Sequence, residues 1–194
     1  MSEFLNKLKL RWKLLSLVLP LVIIPIFVVA GVIGYIANLQ AYLGITQTSK
    51  DDLQHMVSFT IDLLDFHDRH YRNGLNNKSA FSTSELESEA FSALKEKIKN
   101  KKVGNTGYIF CMNSTGTLTI HPDAEGTNIF DARDSSGFPF IREMCLKKSG
   151  WIRYPWQNIG SVTPRMKIVH YEYFKPYDWI VAVGSYEDEF YSEA

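Results

Sequence analysis

Polar and apolar positions divide this chain sharply near its start. From Leu14 to Ala37 no charged side chain occurs, and Lys7, Lys9, Arg11 and Lys13 stand directly before that run. As a helix the run spans roughly 36 Å at 1.5 Å per residue, enough to cross a hydrocarbon core of about 30 Å. Pro20 and Pro25 are tolerated in such a helix because neighbouring groups re-satisfy the freed carbonyls. The basic cluster orients the N-terminus to the cytoplasm, so the chain after Ala37 is expected in the periplasm or outside the cell. A cleaved secretory signal is the competing reading, with Val28 and Ala30 at the small-residue spacing of a cleavage site. The apolar run exceeds the usual length of about 7–15 residues and continues through Val32, Ile33, Tyr35 and Ile36, which favours an uncleaved anchor.

Beyond the apolar run the period becomes that of an amphipathic helix. Leu53, Met56, Val57, Ile61, Leu64 and Tyr71 recur at three- and four-residue spacing, with Asp51, Asp52, Asp62 and Arg69 between them. This predicts a long helix that continues outward from the membrane and stops at Arg72-Asn73-Gly74, followed by a polar loop over Asn76–Thr83. A second helix is predicted from Ser84, where Glu87 has capping-box spacing, with Leu86, Ala90, Leu94 and Ile98 on its apolar face and an end in Lys99–Lys102. From Gly104 the alternation is that of strands. Gly107–Asn113 and Gly116–His121 form a hairpin signal around Asn113–Gly116, and an Asp- and Gly-rich loop runs from Pro122 to Gly137. A short helix is predicted over Phe138–Lys148, closed by Gly150. Three strand-like runs follow: Trp151–Trp156, Arg165–Phe174 and Trp179–Tyr186. The order gives an α+β fold, a five-stranded antiparallel sheet backed by a long helix. It divides the chain into an N-terminal segment 1–13, a transmembrane helix 14–37, a membrane-proximal helical segment 38–102 and a sheet-bearing part 103–194.

Charge changes this picture little. The 194 residues balance 21 basic against 21 acidic groups. Four of the basic residues and one acidic residue lie in the first thirteen, so the remainder is slightly acidic. That composition excludes a basic nucleic-acid surface. Cys111 alternates with Tyr108, Phe110 and Met112 and so faces the other side of its strand, whereas Cys145 falls on a helix expected to cover the Tyr108 and Phe110 face. Two buried, unpaired thiols are expected.

Aromatic density from residue 108 onward is the chief chemical signal. Tyr108 with Phe110, Tyr154 with Trp156, and Lys167 with Val169, Tyr171 and Tyr173 each share a strand face, and His121 closes the second strand. Aromatic walls with a few convergent polar groups suit a small-ligand pocket, and a lysine stem along such a wall presents its ammonium to a carboxylate. The same residues suit an ordinary sheet core, with Lys167 and Arg165 facing water. His67 and His70, with Asp65 and Asp68, have the spacing of a helical metal pair but no third ligand, so a solvated face is expected. Asp131 and Asp134 with Gly137 lack the alternating acids and closing Glu of a calcium loop and read as loop and cap residues. Ser161 and Ser185 lack a nucleophile context, and no phosphate-binding loop or dinucleotide fingerprint occurs. Nothing indicates an enzyme, a metal or a cofactor.

The run Gly107-Tyr108-Ile109-Phe110, then His121-Pro122, Gly126-x-Asn128, Asp131, Asp134 and Gly137, resembles the single Cache sensor domain. So do Gly150-Trp151-Ile152-Arg153-Tyr154-Pro155-Trp156, Lys167, and Trp179 to Gly184-Ser185-Tyr186. The resemblance implies a PAS-like sheet serving as the extracytoplasmic input module of bacterial chemoreceptors, sensor histidine kinases or cyclic-dinucleotide enzymes. It also implies a small organic acid, amino acid or related metabolite as ligand, and a homodimer formed through the long helix. Carried over by position, the pocket would be lined by Tyr108, Phe110, His121, Tyr154, Trp156 and Lys167, with Arg142 and Tyr171 as further members. Members of that family continue past the last strand into a second membrane helix and an output domain. Two rival readings are a membrane-anchored interaction module without a ligand and a metal-dependent extracytoplasmic enzyme using His67, His70 or His121.

Overall fold

The computed structural model describes residues 10–75, 83–157 and 162–191. Lys7, Lys9, most of the polar loop after the long helix, and Ser161 lie outside the described residues, as do the side chains of Arg11, Lys13, Tyr71, Ser84, Leu86 and Glu87. The chain forms two compact units, Met1–Thr46 and Gln47–Ala194.

Helix α1, Leu10–Leu75, contributes to both units and contains Pro20 and Pro25. In the first unit its stretch Val18–Ala41 is long and apolar enough to cross a membrane, and none of it is buried. Leu21, Phe27 and Tyr35 are each more than 70% exposed, an arrangement suited to lipid and not to water. In the second unit α1 presents Leu53, Val57 and Leu64 of the predicted stripe to the sheet, all three buried, with Met56 and Ile61 partly buried beside them. The helix passes through Asn73 and Gly74 to Leu75, beyond the expected stop. An isolated glycine weakens a helix by only about 1 kcal/mol and does not by itself end one.

Helix α2, Thr83–Lys99, leads into β1, Lys102–Val103, a short strand that the lysine-rich sequence there concealed. Then come β2 (Gly107–Asn113), β3 (Leu118–Ile120), helix α3 (Phe140–Lys147), β4 (Gly150–Trp156), β5 (Arg165–Phe174) and β6 (Trp179–Tyr186), with a final 3-10 turn at Glu187–Tyr191. The sheet is antiparallel and six-stranded, in the order β1-β2-β6-β5-β4, with β1 and β3 pairing with opposite ends of β2. The five expected strands are present, and β1 is the sixth.

In the β2–β3 hairpin the Asn113 side-chain oxygen accepts the Thr115 and Thr117 amides. Gly116 at φ +79 takes the left-handed position there, where a Cβ would lie 2.7 Å from the Phe130 backbone. Helix α3 ends at Lys148, which is itself left-handed (φ 65) and caps back to the Met144 carbonyl, so Lys148 does the work expected of Gly150.

The sheet separates two cores. One face carries Phe110, Met112, Tyr154, Val169, Tyr171, Ile180 and Ala182 beneath α3 and the 122–139 loop. The other carries Ile109, Cys111, Ile168, Val181 and Val183 against α1 and α2. Cys111 and Cys145 are buried, unpaired and on opposite faces, as their alternation predicted.

Candidate functional site

Lys167 is the unusual residue of the first face. It is 1% exposed, and no carboxylate pairs with it among the described residues. Its Nζ lies 3.5 Å from the Tyr108 ring centroid, 5.6 Å from that of Phe110 and 5.7 Å from that of Tyr186. Burial alone drives its pKa well below the ordinary lysine value. Burial disfavours the charged form of this amine, aromatic faces alone offset that cost, and an anion beside it would favour the ammonium again.

The walls are set by register. Tyr154 on β4 stands directly opposite Lys167, and on the other side Lys167 pairs with Tyr186 of β6. Tyr154 stacks on Phe140 of α3 at 4.0 Å, with Trp156 edge-on to both rings. Burial raises the pKa of both Tyr154 and Tyr108, so their hydroxyls stay protonated and can donate. His121 meets the Tyr108 ring edge-on at 5.1 Å. Its Nδ1 accepts the amides of Asp123 and Ala124, both at 3.0 Å, so the ring proton sits on Nε2. Burial and the Lys167 charge lower the His121 pKa and hold the ring neutral. The enclosure thus assembles one cation, a neutral imidazole N–H and phenolic hydroxyls within an aromatic shell.

Six of the eight expected site residues come together here: Tyr108, Phe110, His121, Tyr154, Trp156 and Lys167. Arg142 is directed elsewhere; it pairs with Asp131 at 2.5 Å and lies over the Phe130 ring. Tyr171 is buried on the same face but pairs with Gly150 at the start of β4, with its hydroxyl beside that glycine. Tyr186 and Phe140 were missed, because the pairing of β5 with β6 and the seat of α3 leave no periodic trace in the sequence.

The other candidate chemistry resolves into structure. His67 is not on a solvated face: its Nδ1 lies 3.1 Å from the Tyr177 hydroxyl and its ring packs on Phe91. His70 is exposed and stacks on Phe66. Asp134 accepts the Ser136 and Phe138 amides as a loop cap. No group of three potential metal ligands occurs among the described residues. A cavity of about 880 Å³ opens on the opposite face beside Leu53, Met56 and Ile98. It lacks a buried unpaired charge, and Glu189 at its edge is already bonded to the Asn105 and Thr106 amides.

The sequence profile of the Cache 3/Cache 2 fusion domain matches residues 85–194, more than half of the chain. The chain belongs to the Cache family. This Cache chain is 23% identical, over 170 residues, to the methyl-accepting chemotaxis protein McpP of Pseudomonas putida; the match covers 84% of the chain but only 29% of that receptor. Its fold is that of a Cache chemosensory domain solved for carboxylic acid recognition, with TM-score 0.57 and 21% identity over 73% of this chain and 95% of that one. A periplasmic sensor domain of a chemotaxis protein is equally similar, with TM-score 0.57 and 23% identity over 71% of this chain and 94% of that one. The likeness to these two solved domains shows the fold of this chain.

Proposed function

We propose that this chain is the ligand-binding sensor part of a membrane signal-transduction receptor, of chemotaxis or two-component type, and that it senses a small organic acid. The observation that carries the reading is Lys167, a buried ammonium with aromatic faces around it and no carboxylate beside it. A carboxylate entering between sheet and α3 would accept from Lys167 Nζ, His121 Nε2 and the tyrosine hydroxyls. Charge-assisted bonds of this kind contribute about 1.5–3 kcal/mol each. The ligand carries a single carboxylate, since Arg142 is engaged by Asp131 and Arg165 by Asp188 and Glu189. The similar Cache chemosensory domain recognises carboxylic acids, which agrees with this chemistry.

In this reading residues 1–13 are cytoplasmic, 14–37 cross the inner membrane and lipid surrounds them, and 38–102 and 103–194 form the periplasmic sensor. Two copies associate through α1, whose Phe59 and Phe66 are more than 60% exposed. The ligand acts by unequal affinity for two states of the dimer, and no catalytic step is involved.

A thermal-shift screen of the full chain in detergent against short carboxylates, amino acids and amines tests the proposal. At 100 times its dissociation constant a ligand adds about 2.7 kcal/mol, which raises the midpoint by several degrees. A carboxylate shift that disappears in Lys167→Ala supports the sensor. A shift by carboxylates that survives Lys167→Ala removes the lysine as anion anchor, and stabilisation by amines alone overturns the anion reading.

A further inference from the structure

We propose that Gly184 is the positioning residue of the Lys167 site: its missing side chain is the passage through which the lysine reaches Tyr108. This deepens the anion-site reading and rests on it for the functional consequence, though not for the geometry.

Strand β6 lies between β5 and β2, so Lys167 must cross a whole strand to stand over the Tyr108 ring. The residue it crosses is Gly184, which pairs with Tyr108 on one side and with Val169 on the other. Lys167 and Val169 point to the same face as Gly184 because each lies two residues, or one cross-strand step, from the other. A Cβ on Gly184 would fall 2.7 Å from Lys167 Cε and 2.8 Å from Val169 Cγ2. Both distances are below any real contact, so the lysine stem occupies the volume that a side chain would fill. Conformation does not call for a glycine there, since Gly184 is absent from the positive-φ positions of the chain. Glycine weakens a strand interior, and its place in the central strand is explained by the close approach it permits.

The lysine's neighbours confirm that its route is directed. Tyr186 follows on the same face of β6 and Ala182 precedes it, both buried, leaving Gly184 as the gap between them. A side chain at 184 would turn the ammonium back toward β5, away from Tyr108 and His121, while the backbone pairing stays possible.

The test uses the full chain in detergent, with [13C]lysine NMR to follow the Lys167 titration, its signal assigned by its loss in Lys167→Met. Acetate, propionate and succinate serve as affinity probes. In Gly184→Ala the Lys167 pKa is expected to shift as the ammonium leaves the Tyr108 face, and affinity for the probe that binds the unmutated chain to fall at least tenfold. The double variant Val169→Ala/Gly184→Ala relieves the valine contact and guards against a folding defect; it is expected to keep both changes. An unmoved lysine titration in Gly184→Ala, or its restoration in the double variant, overturns the assignment. A titration that moves while no probe binds even the unmutated chain would uphold the positioning role and count against the carboxylate reading instead.

Discussion

At the scale of single residues, the Lys167 charge has a sign that stability measurements can read. Its folded pKa is depressed by burial, whereas in the unfolded chain it is near 10.4. The unfolded state therefore binds more protons in the window between those values, and this group's destabilisation is largest below the folded pKa and fades as pH rises toward about 10. Lys167→Met fills similar volume without the charge and is expected to be more stable than the unmutated chain at neutral pH, with an advantage that shrinks as pH rises. Urea midpoints of both proteins across pH 6–9 check this; taking the difference removes the opposing terms from Cys111 and Tyr108, whose pKa values burial raises. A constant difference across that range would contradict a depressed pKa for the buried lysine. His121 supplies a second residue-scale prediction. Asn at 121 can still accept the Asp123 and Ala124 amides through its side-chain oxygen but lacks a donor where Nε2 stands. His121→Asn should keep the unfolding free energy within about 1 kcal/mol and lower carboxylate affinity roughly tenfold, as loss of one hydrogen bond to an anion does. Calorimetric titration beside thermal unfolding separates the two effects.

At the scale of elements, the turn of the β2–β3 hairpin is where local conformation and packing coincide. Gly116→Ala meets both a left-handed backbone and the Phe130 backbone at 2.7 Å, so a loss of about 2 kcal/mol or more in unfolding free energy is expected, against less than half of that for Gly126→Ala, where the same φ sign meets open space. The elements themselves were legible because their periods are strong: α1 shows its buried stripe at Leu53, Val57 and Leu64, and β2 separates Phe110 from Cys111 by simple alternation. The short β1 was not legible, since Lys102 and Val103 carry two residues of pattern and pair only because β2 offers an edge there. The candidate site was readable in its strand-local members, whereas Tyr186, Phe140 and Gly184, which lie around the same lysine, were not. Those three owe their place to cross-strand register and to where α3 sits, which are long-range facts with no period. For Arg142 the sequence placed the helix but not the partner: its guanidinium is taken by Asp131, eleven residues away in sequence.

At the scale of the whole molecule, the route out of the sheet is held by charge in a way that ties it to the site. Three consecutive acids follow β6. Glu187 takes Arg153 of β4 at 2.9 and 2.6 Å, Asp188 takes Arg165 of β5 at 2.7 and 2.6 Å, and Glu189 takes Arg165 together with the Asn105 and Thr106 amides. Arg165 also lies 4.2 Å over the Tyr186 ring, and that ring is the cross-strand neighbour of Lys167. An anion that draws Lys167 toward itself changes the field at Tyr186, and Tyr186 is the surface against which Arg165 rests. The Asp188 and Glu189 carboxyls are both held below their ordinary pKa, Asp188 chiefly by Arg165, Glu189 by Thr106 and Arg165 against the opposing effect of burial. Their stabilisation is therefore present above pH about 4 and lost as pH falls through the lowered values. Amide exchange across 187–191 should slow when a carboxylate occupies the site, and Arg165→Gln should abolish that response while leaving carboxylate affinity within about threefold. Hydrogen-exchange mass spectrometry on both proteins, with and without the bound probe, decides it. Protection at 108–121 without any change at 187–191 would mean that the terminal turn is a fixed anchor that does not respond to the Lys167 site.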